Sequence, residues 1–170
     1  MSAEILIVDD EPDIRELIGG VLEDEGYLIR TASTAEGALA AITERKPELV
    51  ILDVWLQGSD MDGLEMLNYL KSIDPVLPVI VISGHGSIET AVTAIRRGAY
   101  DFLEKPFKAD RLLVVVERAL EAASLKRENS ALRVHMSEGD ELLGKSAAAT
   151  QLRLAIDKVA PTNSRVLITG

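Results

Sequence analysis

The sequence contains no cysteine, which excludes a disulfide framework and a thiolate metal site. Only 4% of it is aromatic, with a single tryptophan. It has no net positive charge: the formal net charge is −10, which argues against nonspecific binding to nucleic acid or to a membrane surface. No apolar run approaches the ~18 residues that span a bilayer. The N-terminus enters a short strand-like run with no basic n-region and no long h-region, so no signal peptide is expected. A cytoplasmic location is the resulting expectation. What is present is a 47% apolar content, enough for a core, in 170 residues, which fits one domain, or one domain plus a piece of another. The charge is uneven. Residues 1–108 hold 20 acidic and 9 basic side chains, net −11, while residues 109–170 are net +1.

Short apolar runs alternate with helical patterns. Glu4–Val8 reads as a fully buried strand. Pro12 stands where a helix begins, and Ile14, Leu17, Ile18, Val21 and Leu22 recur at helical spacing up to Gly26. Tyr27–Ala32 reads as a second strand, and Ser33-Thr34-Ala35-Glu36 as the capping box of a second helix. Leu49–Asp53, Pro78–Ile82 and Asp101–Glu104 read as further strands. A helix from Gly63 to Ile73, one capped by Ser87 and closed by Gly98, and a long one starting near Ala109 separate or follow them. Five strand–helix repeats predict an α/β fold, a doubly wound parallel sheet covered on both faces. In such folds ligands bind beyond the carboxyl ends of the strands.

Chemistry-bearing residues collect at those ends. The first strand stops at Asp9-Asp10, the third at Asp53 and the fourth at Ser83; Lys105 follows the fifth. Neighbouring carboxylates raise each other's pKa, and a divalent cation relieves the repulsion. Oxygen ligands without sulfur point to Mg²⁺. A carboxylate beside such an ion can attack phosphorus, with an ammonium and a hydroxyl holding phosphoryl oxygens. The chemistry implied is phosphoryl transfer to an aspartate.

The segments ILIVDDEPDIRELI, LVILDV, PVIVISGHG and GAYDFLEKPF, in that order and spacing, resemble the receiver domain of two-component response regulators over about residues 1–122. The resemblance implies a five-stranded sheet of order 2-1-3-4-5. It implies that Asp53 is the phosphoacceptor and that Asp9, Asp10, Asp53 and the backbone carbonyl of Trp55 hold Mg²⁺. Lys105 would pair with the phosphoryl group and precede a cis bond to Pro106. Ser83 and Phe102 would be the switch hydroxyl and switch aromatic. Tyr100 lies outside the matched position. A sensor histidine kinase would be the donor. The altered surface would be the fourth helix, fifth strand and fifth helix, controlling a homodimer. Receivers commonly carry proline four residues after the acceptor and glycine eight after it. Here Gln57 stands at the first place and Gly63 is ten residues on. This longer loop resembles the NtrX-like branch of nitrogen regulators, with an NtrY-like kinase, and is expected to be more mobile than a proline-containing one. Asp60 and Asp62 are expected to face solvent, Asp62 capping the third helix. His85 reads as a loop residue, and Gly84-His85-Gly86 lacks the setting of a dinucleotide site.

Residues 123–141 read as a linker helix followed by a break at Ser137–Asp140. Leu125 and Leu132 at d, with Ala122, Asn129 and Met136 at a, give about two heptads, too few for a firm coiled-coil reading. Residues 142–170 resemble the opening of the AAA+ ATPase domain of enhancer-binding activators, ending at the first glycine of its phosphate loop. They are too few to bury a core and are expected to be poorly packed. DNA would be contacted only through a C-terminal domain absent from the sequence. Two other classes compete: a Mg²⁺-dependent phosphohydrolase with an aspartyl-phosphate, and a flavodoxin-like cofactor carrier. The first commonly places its nucleophile after the first strand, not the third. The second wants a Ser/Thr-rich phosphate loop that is missing.

Overall fold

The computed structural model describes residues 2–84, 87–139, 151 and 154, in two compact units, Met1–Glu128 and Asn129–Gly170. His85, Gly86 and Asp140 lie outside the described residues, as do all of 142–170 except 151 and 154. The readings made for them are therefore not addressed by the structure.

Five parallel strands form one sheet in the order β2-β1-β3-β4-β5. They are β1 (Glu4–Val8), β2 (Leu28–Ala32), β3 (Leu49–Asp53), β4 (Val79–Ser83) and β5 (Asp101–Glu104). Between and after them run α1 (Pro12–Asp24), α2 (Ala35–Glu44), α3 (Gly63–Ile73), α4 (Ile88–Arg96) and α5 (Ala109–Gly139). β1, β3 and β4 are buried at every position. That is why they read as unbroken apolar runs: a central parallel strand is covered on both faces. β2 and β5 lie at the edges and carry the partly exposed Arg30, Thr31, Asp101 and Glu104.

Strand alternation divides the core into two layers. Leu6, Val8, Val50, Leu52 and Val81 face Met66, Leu67 and Leu70 of α3, Ala38 of α2 and Ala94 of α4. Ile5, Ile7, Ile51, Ile80 and Leu103 face Ile18 and Leu22 of α1 and Leu112, Val116 and Ala119 of α5. Each such branched side chain taken from water stabilises the fold by roughly 1.5–3 kcal/mol before entropy is counted.

Helix ends follow local chemistry, with two changes from the sequence reading. The capping box forms at α3: Asp62 Oδ1 accepts the Glu65 N–H at 2.7 Å, and Glu65 Oε2 accepts the Asp62 N–H at 3.0 Å. At α2 the cap is Thr34, whose hydroxyl accepts the Gly37 N–H. Glu36 there turns outward and accepts from Asp60 instead. Gly26 and Gly98 take φ of +85° and +96° just past α1 and α4, conformations in which a Cβ is strained. α5 continues to Gly139 and so includes Ser137–Gly139, which the sequence reading gave to a break.

At the amino end of the sheet, Glu4 is buried and pairs with Arg30 at 2.6 Å and with Arg45. Arg30 also donates to the carbonyls of Ala41 and Arg45. One guanidinium thus serves a buried carboxylate on β1 and two carbonyls at the end of α2.

Candidate phosphoryl-transfer site

The carboxyl ends of the strands are built from the backbone outward. The Asp9 N–H donates to Ala32 O, prolonging the β1–β2 ladder by one bond. The Glu11 N–H then closes a turn onto Asp9 Oδ1 at 2.9 Å. Arg15, one turn into α1, donates through Nη1 to the carbonyls of Asp9 and Asp10 at 2.6 and 3.0 Å. On β3, Asp53 is the last strand residue, and the Val54 N–H still donates to Ile82 O. On the far side the Lys105 N–H donates to Ser83 O at 2.8 Å, and the Lys105–Pro106 peptide is cis.

Gly63 sets how close α3 approaches this edge. Its N–H donates to Val54 O, and a Cβ added there would stand 1.9 Å from the Asp53 carbonyl oxygen. Only glycine permits that approach.

These supports bring three carboxylates and one ammonium together. Asp9, Asp10 and Asp53 each place an oxygen within 4.8 Å of the others. Lys105 Nζ lies 2.7 Å from Asp9 Oδ2, 3.3 Å from Asp53 Oδ2 and 3.2 Å from Glu11 Oε1. Asp53 Oδ1 is buried and finds no well-aligned donor. Burial lifts the Asp53 carboxyl to about 6; Lys105 opposes the rise and the Asp9 charge adds to it. Asp9 is raised as well, again chiefly by burial. Burial works against the Lys105 charge, yet Asp9, Asp53 and Glu11 hold that amine above its usual value. One ammonium therefore serves three carboxylates, and Asp10 adds a fourth negative charge to the group. A buried carboxylate oxygen without a donor, in an all-oxygen set, fits a hard divalent ion.

The site opens into a cleft of about 610 Å³ lined by Asp10, Glu11, Asp53, Trp55 and Gln57. Ser83 is buried completely at the end of β4. Phe102 is half-buried, pairs in register with Val81 and packs with it in the α3/α4 layer. Ser83, two residues beyond Val81, continues the same face. Asp60 and Asp62 stand outside the three-carboxylate group, both exposed.

Sequence reasoning missed Glu11, Arg15 and the ties of the β3–α3 loop. Ser59 Oγ accepts the Ala35 N–H at 2.8 Å, and the Asp60 N–H donates to Glu36 Oε1 at 3.0 Å. Arg15 did leave a signal, as the one basic side chain in α1. The loop contacts join residues 24 apart in sequence and left none.

The response regulator receiver domain family matches residues 5–117. The chain belongs to this family. The nitrogen assimilation regulatory protein NtrX of Azorhizobium caulinodans is 58% identical over all 170 residues. The chain covers 37% of that relative's length. The crystal structure of the receiver domain of NtrX from Brucella abortus is 67% identical and superimposes with a TM-score of 0.67. That match covers 69% of this chain and 98% of that one. The solution structure of the beryllofluoride-activated NtrC4 receiver domain dimer is 43% identical with the same TM-score, covering 71% of this chain and 98% of that one. The chain is thus a receiver domain of the NtrX/NtrC type, a phosphoaccepting module of two-component signalling and not itself a catalytic domain. Receiver domains take their phosphoryl group from histidine kinases. No described helix is long and apolar enough to cross a membrane.

Proposed function

We propose that Asp53 accepts the phosphoryl group from a sensor histidine kinase and that Asp9, Asp10, Asp53 and the Trp55 backbone carbonyl hold Mg²⁺. The observation that carries this reading is the meeting of three carboxylates and one ammonium at the ends of β1, β3 and β5. The ion, when bound, neutralises the carboxylates and the phosphoryl oxygens they would otherwise repel. Lys105 already touches Asp53, so its ammonium is in place to pair with a phosphoryl oxygen there. The two Asp53 oxygens would divide the work, one toward the ion and the other toward phosphorus; Oδ2 meets Lys105 and Oδ1 finds no well-aligned donor. Ser83 would then hold another phosphoryl oxygen, and its movement would free space for the Phe102 ring on the same layer.

The output is a change on the α4–β5–α5 face that controls a homodimer. The donor is an NtrY-like kinase and the setting is the cytoplasm. Residues 1–122 form the receiver, 123–141 the linker, and 142–170 the opening of an AAA+ ATPase domain; DNA is reached only through a further domain. The family match to residues 5–117, the compact unit ending at Glu128 and the helix running on to Gly139 support these divisions.

Acetyl phosphate with Mg²⁺ should add one phosphoryl group to the wild type, seen by intact mass, and none to Asp53→Asn. Equal labelling of the two proteins would show that the acceptor lies elsewhere.

A further inference from the structure

Among the described residues that line the cleft over Asp53, one side chain is neutral and able both to donate and to accept hydrogen bonds. We propose that Gln57 positions the water that hydrolyses the aspartyl-phosphate and so sets the lifetime of the signal. This rests on Asp53 as the acceptor.

A phosphoryl group on Asp53 projects into the cleft, and in-line attack must come from the side opposite the Asp53 oxygen, the cleft side. Water held there needs an acceptor for one of its hydrogens and a donor that ties it to the phosphoryl oxygens. The other lining side chains do not supply both. Asp10 belongs to the carboxylate group, and Glu11 is paired to Lys105 and would repel phosphoryl oxygens. Trp55 offers only an indole N–H. The Gln57 carboxamide offers Oε1 to the water and Nε2–H to the phosphoryl group.

The backbone at Gln57 is restrained on both sides. Leu56 before it is buried at 7% exposure, and Gly58 after it turns the chain with φ +76°. Ser59 and Asp60 are then bonded to the first turn of α2. The loop thus holds the Gln57 backbone at the mouth of the cleft, which the side chain lines, where the usual proline has no polar group to offer. In the step itself, the water oxygen bonds to phosphorus as the bond from phosphorus to the Asp53 oxygen breaks. The electron pair returns to the carboxylate, and both water protons leave with the phosphate. Gln57 changes neither charge nor protonation; it is a positioning residue.

The test compares two rates in wild type, Gln57→Leu and Gln57→Asn: labelling by acetyl phosphate, which needs no attacking water, and loss of label after acetyl phosphate is removed. The expected result for Gln57→Leu is a loss rate lowered by about tenfold with a much smaller change in labelling. Gln57→Asn, keeping a carboxamide on a shorter arm, should recover part of the rate. Loss of label unchanged in Gln57→Leu, or slowed only as much as labelling, overturns the proposal. Failure of wild type to label, or labelling of Asp53→Asn, would instead overturn the acceptor assignment. Beryllofluoride with Mg²⁺ should still give the wild-type spectral response in each Gln57 variant, which shows that the variants fold and close the site.

Discussion

Asp53 carries a carboxylate into a place where charge is costly. It is 4% exposed, and its carboxyl is lifted from 3.8 to about 6. The folded chain therefore binds that proton more tightly than the unfolded chain does. The stabilising contribution is fully present below pH 4 and is lost as pH rises through about 6. Asp53→Asn removes the charge, so without divalent ions it should be more stable than wild type at pH 7.5, by about 3 kcal/mol, since one pK unit is worth about 1.4 kcal/mol. The gain should shrink towards zero at pH 4. Urea unfolding across that range checks it, and a variant no more stable at pH 7.5 would mean that the Lys105 pair already offsets the burial. Asp9, Asp10 and Asp53 were legible in the sequence because each ends an apolar strand, and a buried run has no other reason to stop in an acid. Glu11 was not. Its place in the site depends on how the turn after β1 aims an exposed side chain at Lys105, 94 residues away.

Among the elements, the strands were the most legible, since continuous burial needs continuous apolar sequence. The helix caps were less so: Ser33–Glu36 matches the capping-box pattern, yet the β3–α3 loop claims Glu36 from outside. The same ties restrain a loop that lacks a proline ring, so the freedom expected from Gln57 must be set against two hydrogen bonds. Arg30 is the opposite case, a charge on an edge strand that reads as solvent-facing and in fact holds three elements together. It pairs with buried Glu4 and ends α2 through the carbonyls of Ala41 and Arg45. Arg30→Ala leaves Glu4 with Arg45 alone, whose side chain is largely exposed. We expect a loss of about 3 kcal/mol in denaturant unfolding, the cost of stripping a buried carboxylate of its partner. Glu4→Gln with Arg30→Ala should cost less than the two single losses added, because the unpaired charge is gone. Additive losses would show that the two side chains act separately.

On the scale of the whole receiver, the surface is acidic but not uniform. α4 presents Ile88, Val92 and Ile95 outward, with Ile88 85% exposed, and Tyr100 just before β5 and Val114 on α5 are exposed as well. Large apolar side chains gathered on one side of a monomer mark an association surface. The charges beside them are of both signs: Arg96 and Arg97 at the end of α4, Asp101 and Glu104 on β5. A two-fold pairing brings one patch against its own copy, and a patch with both signs can satisfy itself. A patch of one sign could not. That favours a second copy of this chain over an unlike partner, in line with the related NtrC4 receiver, which is a dimer when activated by beryllofluoride. Replacing Val92 and Ile95 together by aspartate puts like charges at the centre of such an interface. Sedimentation in beryllofluoride and Mg²⁺ should show self-association weakened by at least about tenfold, as losing central apolar anchors commonly costs more than 1.4 kcal/mol. Both side chains are half-exposed, so the monomer should fold as before and the labelling rate of Asp53 should hold. Unchanged association would move the dimer to another surface, with the α5 extension the next to examine.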